Sequence, residues 1–112
     1  GSIVNIADIH AQRPLKNYTP YCISKAGVVT LTQSLAKALA PHVRVNCIAP
    51  GTILLPSQTQ GEADDEETLR ERVPMKRLGT PEEIAQSVEF LLGGPKFITG
   101  HILTVDGGEH LR

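Results

Sequence analysis

The sequence predicts a parallel α/β fold on three observations. Three short apolar runs rich in β-branched residues, SIVNI, VRVNCI and ILTV, have the length and composition of buried strands. Two longer helical segments each open on a Thr-Pro pair, Thr19-Pro20 and Thr80-Pro81. The chain order is strand, helix, strand, helix, helix, strand, and strands separated by helices pair in parallel through right-handed crossovers.

SIVNI, residues 2–6, reads as a strand buried on both faces. ADIHAQRPLKN is polar and carries Pro14, so it reads as a loop. Thr19 is the expected N-cap and Pro20 the first helical residue, where its missing N–H costs nothing. From there to Ala40 the pattern is helical, with Val28, Leu31, Leu35 and Leu39 one or two turns apart, and Pro41 stops it. VRVNCI, 43–48, is the second strand, and APGTILLPSQTQG after it is a loop with two prolines and two glycines. EADDEE then places five acidic residues in six ahead of TLRERV. Carboxylates in front and arginines behind match a helix dipole, so this is a short solvated helix or else a flap near a binding site. In GTPEEIAQSVEFLLGG, Thr80 caps, Glu83 at N3 completes a capping box, and Gly93-Gly94-Pro95 terminates. ILTV and the turn DGG close the sequence of elements.

At 112 residues the chain fits one domain, with 40% apolar and 21% charged residues, ordinary for a globular protein. A net charge of −1 offers no broad basic surface for nucleic acid or an anionic membrane. The apolar runs are too short to span a bilayer, and GSIVNI reads as a strand rather than a secretion signal. Cys22 and Cys47 form neither a zinc pattern nor a disulfide framework and suit the buried thiols of a cytoplasmic protein. Histidines 10, 42, 101 and 110 lack metal-ligand spacing, so no metal site is expected. Three parallel strands are few, and the Val- and Ile-rich first strand suits the middle of a sheet. The chain is therefore expected to belong to a larger sheet, or to borrow strands from a partner, rather than to fold independently.

Tyr21 and Lys25 carry the chemistry. At i and i+4 they project from one side of the helix. A phenol titrates near ~10, and a neighbouring ammonium favours the phenolate, so Lys25 is expected to lower the Tyr21 pKa and make it a general acid–base. Alone the spacing is common on helix surfaces. Its surroundings make it specific, because GSIVNIAD, YCISKAGV, LTQSLAKALAPHVRVNCIAPG, GTPEEIAQSVEFLL and ITGHILTVDGG, in that order, resemble the short-chain dehydrogenase/reductase family. The resemblance implies the C-terminal half of a Rossmann-type doubly wound parallel sheet, three strands with flanking helices, with residues 1–112 forming part of a single reductase domain.

That family's catalytic serine lies thirteen residues before its tyrosine, and the same step back from Tyr21 reaches Asp8. This departure resembles the pteridine reductase branch, as do Pro14 and the extra aromatic Tyr18. The resemblance makes Asp8, Tyr21 and Lys25 catalytic, and Asp8, Tyr18 and Tyr21 substrate-binding. An aspartate there can accept a hydrogen bond from the amino edge of a pterin, and when protonated can relay a proton; it also fits as the cap of a local turn. The cofactor implied is NADPH. Tyr21 would contact the cofactor, Lys25 would bond the nicotinamide ribose, Pro50 and Gly51 would pass beneath the nicotinamide, and the Ile53 backbone would approach its carboxamide. Leu54 and Leu55 stand where many relatives carry a diphosphate-binding Thr or Ser, with Ser57 a possible substitute. Tyr18 alternatively staples the helix entrance, and His10 is a loop residue or a pocket wall.

The family's glycine-rich phosphate loop and its catalytic asparagine would belong upstream of residue 1. The leading expectation is thus NADPH-dependent reduction of a pterin or folate, with this chain as the C-terminal part and inactive in isolation. The alternatives are a carbonyl reductase of the 3-oxoacyl-carrier-protein reductase or sugar dehydrogenase type, and a non-catalytic interaction module. A homo-oligomer, dimer or tetramer, or pairing with an N-terminal half is expected.

Overall fold

A computed structural model describes residues 1–54 and 66–111. Its elements are β1 (Ser2–Ile6), a 3-10 turn η1 (Ile9–Ala11), α1 (Thr19–Leu39), β2 (Arg44–Pro50), α2 (Glu66–Arg72), α3 (Pro81–Gly93), β3 (Ile102–Val105) and a 3-10 turn η2 (Glu109–Leu111). The strands form one sheet in the order β1-β2-β3, parallel throughout. Ile6 pairs with Ile48 and Pro50 with Val105, so the carboxyl ends of all three strands open onto one edge. Parallel α/β proteins place their sites at such an edge.

Successive strand residues face opposite sides of the sheet, and the side-chain bonds show what covers each side. Asn5 Nδ2 donates to Thr32 Oγ1 in α1, 3.0 Å away, while Thr32 in turn donates to Val28 O. From the other face, Arg44 Nη1 donates to Leu91 O (3.1 Å) and its Nη2 to Leu92 O (3.3 Å). A cation on the last carbonyls of α3 complements the helix dipole. Asn46, on the same side as Arg44, is fully buried, donating to Ile98 O (3.0 Å) and accepting from His101 N (2.9 Å). It shapes the turn that feeds β3.

Val45 through Ala49 of β2 form the centre of the core. Burial of β1 on both faces does not hold: Ile3 is 39% and Ile6 43% exposed. They face opposite sides of a strand that has a neighbour along only one edge.

The first helix also differs in detail from expectation. It begins at Thr19, so Tyr18 takes the cap position and makes no side-chain capping bond; Thr19 is not the N-cap. Its buried residues are Cys22, Thr32 and Ala36, whereas Leu31 is 51% exposed. Small side chains at 32 and 36 let the helix sit close to the sheet, where the Asn5 bond fixes its rotation. None of the residues of α2 is buried, and Glu66 and Arg70 pair at 3.1 Å, which fits a solvated helix. The leading part of the acidic run, 62–65, lies outside the described residues, so the flap alternative falls there. Among the described residues no helix is long and apolar enough to cross a membrane, and no group of His, Cys, Asp and Glu could hold a metal ion.

The capping box of α3 forms as read. Glu83 N donates to Thr80 Oγ1 (3.2 Å), and Thr80 N to Glu83 Oε1 (3.1 Å). Arg77 adds a bidentate grip at 2.8 and 2.7 Å, and these hydrogen bonds, joined by that of the Thr80 N–H, hold the Glu83 carboxyl at about 2. Replacing Thr80 by alanine is expected to cost about 1 kcal/mol, read as a lower urea midpoint. Glu83's contribution is present above its unfolded pKa and lost as pH falls toward 2.

Candidate active site

After Ile6 the chain makes one more sheet bond, Ala7 N–H to Ile48 O at 2.7 Å, and then leaves the sheet. Asp8 is the first residue beyond that edge. Its backbone is extended, and Oδ1 accepts from His10 N (2.9 Å), capping η1. Its other oxygen, Oδ2, accepts from Tyr21 Oη at 2.7 Å. One oxygen of Asp8 thus caps the local turn, as the alternative reading had it, and the other accepts from the tyrosine. Capping fixes the carboxylate so that its second oxygen meets the first turns of α1.

Lys25 sits one turn on, its Nζ 5.8 Å from the centroid of the Tyr21 ring, within cation–π range. The expected lowering of the Tyr21 pKa does not occur. Burial, the hydrogen bond donated to Asp8 and the charge of that carboxylate push the phenol up to about 12. An acceptor on the hydroxyl and a negative charge beside it both favour the protonated form. Lys25, its ammonium over the ring at 5.8 Å from the centroid, is not among the causes of this shift. Tyr21 accordingly keeps its proton at neutral pH in this arrangement.

This predicts a spectroscopic result. In a Tyr18→Phe background Tyr21 is the sole tyrosine, and its tyrosinate absorbance is expected to rise with a midpoint of about 12. Adding Asp8→Asn should bring the midpoint down toward ~10. Because the folded pKa lies above the unfolded one, Tyr21's contribution to stability is complete below ~10 and lost as pH climbs through the folded value.

The second wall is the segment leaving β2. Pro50 pairs with Val105, and Gly51 N donates to Val105 O (3.0 Å). Ile53 then forms an isolated parallel bridge with Gly79: Gly79 N donates to Thr52 O (3.1 Å) and Leu54 N to Gly79 O (2.8 Å). In an extended segment alternate residues turn their N–H and C=O to opposite edges. The Ile53 N–H and carbonyl therefore face away from Gly79, and none of the described residues bonds to them. A donor and an acceptor on one residue match the amide of a nicotinamide. Gly51 leaves no room for a side chain, since a Cβ there would lie 2.6 Å from Asp106 Cβ.

The other expected residues are placed less tightly. Tyr18 is 57% exposed, and no hydrogen bond joins it to Asp8 or Tyr21 among the described residues. His10 does line a cleft, with Ile9, Arg13, Pro14, Leu15 and Glu109. Leu54 is exposed, while Leu55 and Ser57 lie outside the described residues. Glu109 and Thr52 went unmarked in the sequence. Their side chains meet across 57 positions, and no local spacing signals such a pair.

A family model described as enoyl-(acyl carrier protein) reductase matches residues 1–110. Carbonyl reductase family member 4 of Xenopus laevis is 45% identical over 114 residues, covering 100% of this chain and 46% of that protein. A 3-oxoacyl-[acyl-carrier-protein] reductase of Thermotoga maritima is 39% identical over 96% of this chain and 45% of its own length. The chain thus spans a little under half the length of these relatives. Among solved structures, ElxO with NADP bound superposes with a TM-score of 0.87 at 30% identity, covering 100% of this chain and 47% of that one. An apo SCOR enzyme from Clostridium thermocellum gives 0.86 at 38% identity, covering 100% and 43%. With the strand order, the Tyr21–Lys25 pair and the family match over residues 1–110 in agreement, the chain belongs to the short-chain dehydrogenase/reductase family.

Proposed function

We propose that this chain forms the C-terminal half of an NADPH-dependent carbonyl reductase whose substrates resemble 3-oxoacyl thioesters. The observation carrying this reading is the Tyr21 hydroxyl, held in its protonated form 2.7 Å from Asp8 with Lys25 over its ring. The similarity to carbonyl and 3-oxoacyl reductases supports the substrate class ahead of pterins. The reduced cofactor supplies the hydride when bound, with Ile53 offering main-chain partners to its amide. Tyr21 swings its hydrogen bond from Asp8 to the substrate oxygen and donates the proton as negative charge develops there. Lys25 would hold the nicotinamide ribose of that cofactor. Asp8 sets the hydroxyl's starting position and, through the same carboxylate, the shape of the loop before α1.

A second reading, reduction of a pterin or folate, is favoured by one observation. The residue bonded to the catalytic hydroxyl is a carboxylate, an acceptor suited to an amino-substituted ring edge. The intact reductase, assayed with NADPH on acetoacetyl thioesters and on dihydropterin, separates the two. Turnover of dihydropterin alone would sink the carbonyl reading, and turnover of the thioester alone would sink the pterin reading. The 112-residue chain by itself is expected to show no turnover, because no segment of it matches the family's phosphate-binding glycine loop. Micromolar binding of NADPH by the chain alone would contradict that. Assembly as a homo-oligomer in the cytoplasm accompanies this proposal.

A further inference from the structure

We propose that Glu109 is a positioning residue for the cofactor-side wall, holding Thr52 so that the neighbouring Ile53 N–H and carbonyl stay turned toward the site. The inference rests on the reading of residues 50–53 as the nicotinamide wall and assigns the residue that keeps it in place.

The Glu109 carboxylate forks across a single residue. Oε1 accepts from Thr52 N at 3.0 Å and Oε2 from Thr52 Oγ1 at 3.2 Å. With Thr52 O accepting from Gly79 N, every polar group of Thr52 is taken, and Leu54 N is bonded to Gly79 O. The chain is pinned on both sides of Ile53, whose own N–H and carbonyl are the groups left for a ligand. A carboxylate suits this task because it accepts from an N–H and an O–H at once, and its charge strengthens both bonds.

Glu109 is itself held in place. The Asp106 side chain, 4% exposed, accepts from Gly108 N (3.0 Å) and His110 N (2.8 Å), and pairs with His110 Nδ1 at 2.7 Å. Gly107 and Gly108, with φ of 62° and 90°, supply the left-handed backbone that folds this turn back over Gly51. From the opposite wall, Arg13 Nη1 donates to the carbonyls of Glu109 and His110. The turn after β3 therefore spans the gap between the loop that carries Asp8 and the segment that carries Ile53. Glu109 is the point where it grips the second wall.

The test compares Glu109→Ala and Glu109→Gln with wild type in the intact reductase. It reads kcat, KM for NADPH, KM for the thioester, and hydrogen-exchange protection of the Thr52 amide. Alanine is expected to raise KM for NADPH about tenfold, the equivalent of one charge-assisted bond, with kcat nearly unchanged and the Thr52 amide deprotected. Glutamine keeps an acceptor for the Thr52 N–H and is expected to restore most of the NADPH affinity and the protection. Unchanged NADPH KM and unchanged protection in the alanine variant would overturn the proposal. So would parallel losses in kcat and both KM values that glutamine does not rescue, which mark a general structural role. If the wild type turns over neither substrate with NADPH, the functional reading has failed, and Thr52 exchange decides the tether alone. Protection lost in Glu109→Ala and kept in Glu109→Gln upholds the tether; protection equal in all three proteins ends it.

Discussion

Tyr21→Phe is expected to lower kcat of the intact reductase about 10²- to 10⁴-fold, the range associated with losing a positioned general acid. The substitution removes one oxygen and keeps the ring, so the Lys25 contact over the ring face survives. Asp8 Oδ1 retains its bond to His10 N, so the turn that shapes the site also survives. The variant therefore separates proton donation from folding more cleanly than alanine would. Steady-state kinetics with NADPH as the varied substrate should show the loss in kcat with KM for the cofactor close to wild type. Retention of wild-type kcat would mean that another group, with Asp8 the nearest, delivers the proton. The pH profile gives a second check: a phenol held at about 12 keeps its proton across the neutral range, so its own ionisation should produce no fall in activity there.

The second large effect is expected at Gly51. An alanine Cβ would lie 2.6 Å from Asp106 Cβ, 2.9 Å from Glu109 Oε1 and 3.0 Å from Asp106 Cα. The end of the Glu109 side chain can shift, but the Asp106 backbone cannot move cheaply, since Asp106 organises the turn through Gly108 and His110. Gly51 is in turn fixed by its bond to Val105 O. Forcing the two segments apart is expected to destabilise the protein by roughly 1–3 kcal/mol, as overpacking does. It should also raise KM for NADPH, because the Thr52–Glu109 grip lies directly beyond the clash. Urea denaturation and NADPH kinetics measure the two consequences separately. A stability equal to wild type would show that the turn after β3 yields freely, which would also weaken the case for Glu109.

Much of this architecture was legible because it is written in local chemistry. The α3 start needed only Thr80, Pro81 and Glu83 at their spacing, and the structure forms the reciprocal capping bonds read from it. The three strands fall within two residues of their expected limits, since short β-branched runs bounded by polar loops leave few other solutions. The start of α1 was less legible. Thr19-Pro20 carries a capping signal, yet the helix takes in Thr19 and leaves the cap position to Tyr18. The loop between Leu15 and Tyr18 sets that entry, with Tyr18 N bonded to Leu15 O and Leu15 N to Cys22 Sγ. Within the apolar stripe of α1, Leu31 is left exposed for a similar reason. Periodicity identifies an apolar stripe, but Asn5 bonding to Thr32 decides how the helix is rotated on the sheet.

By itself, then, the sequence determined the parallel α/β plan and the capped start of α3, because local pattern carries each of them, and its resemblance to a family singled out Asp8, Tyr21 and Lys25. Only the tertiary structure decided what that trio does to itself. A one-dimensional reading placed an ammonium beside a phenol and expected a lowered pKa. The fold instead puts Lys25 over the ring and the Asp8 carboxylate on the hydroxyl, and the pKa rises. Tertiary structure likewise brought Glu109 onto Thr52 and left Ile3 and Ile6 open along β1. The physical reason is common to all three. Electrostatics and burial depend on distances in space and on which atom of a side chain is approached, and residues far apart in sequence set both.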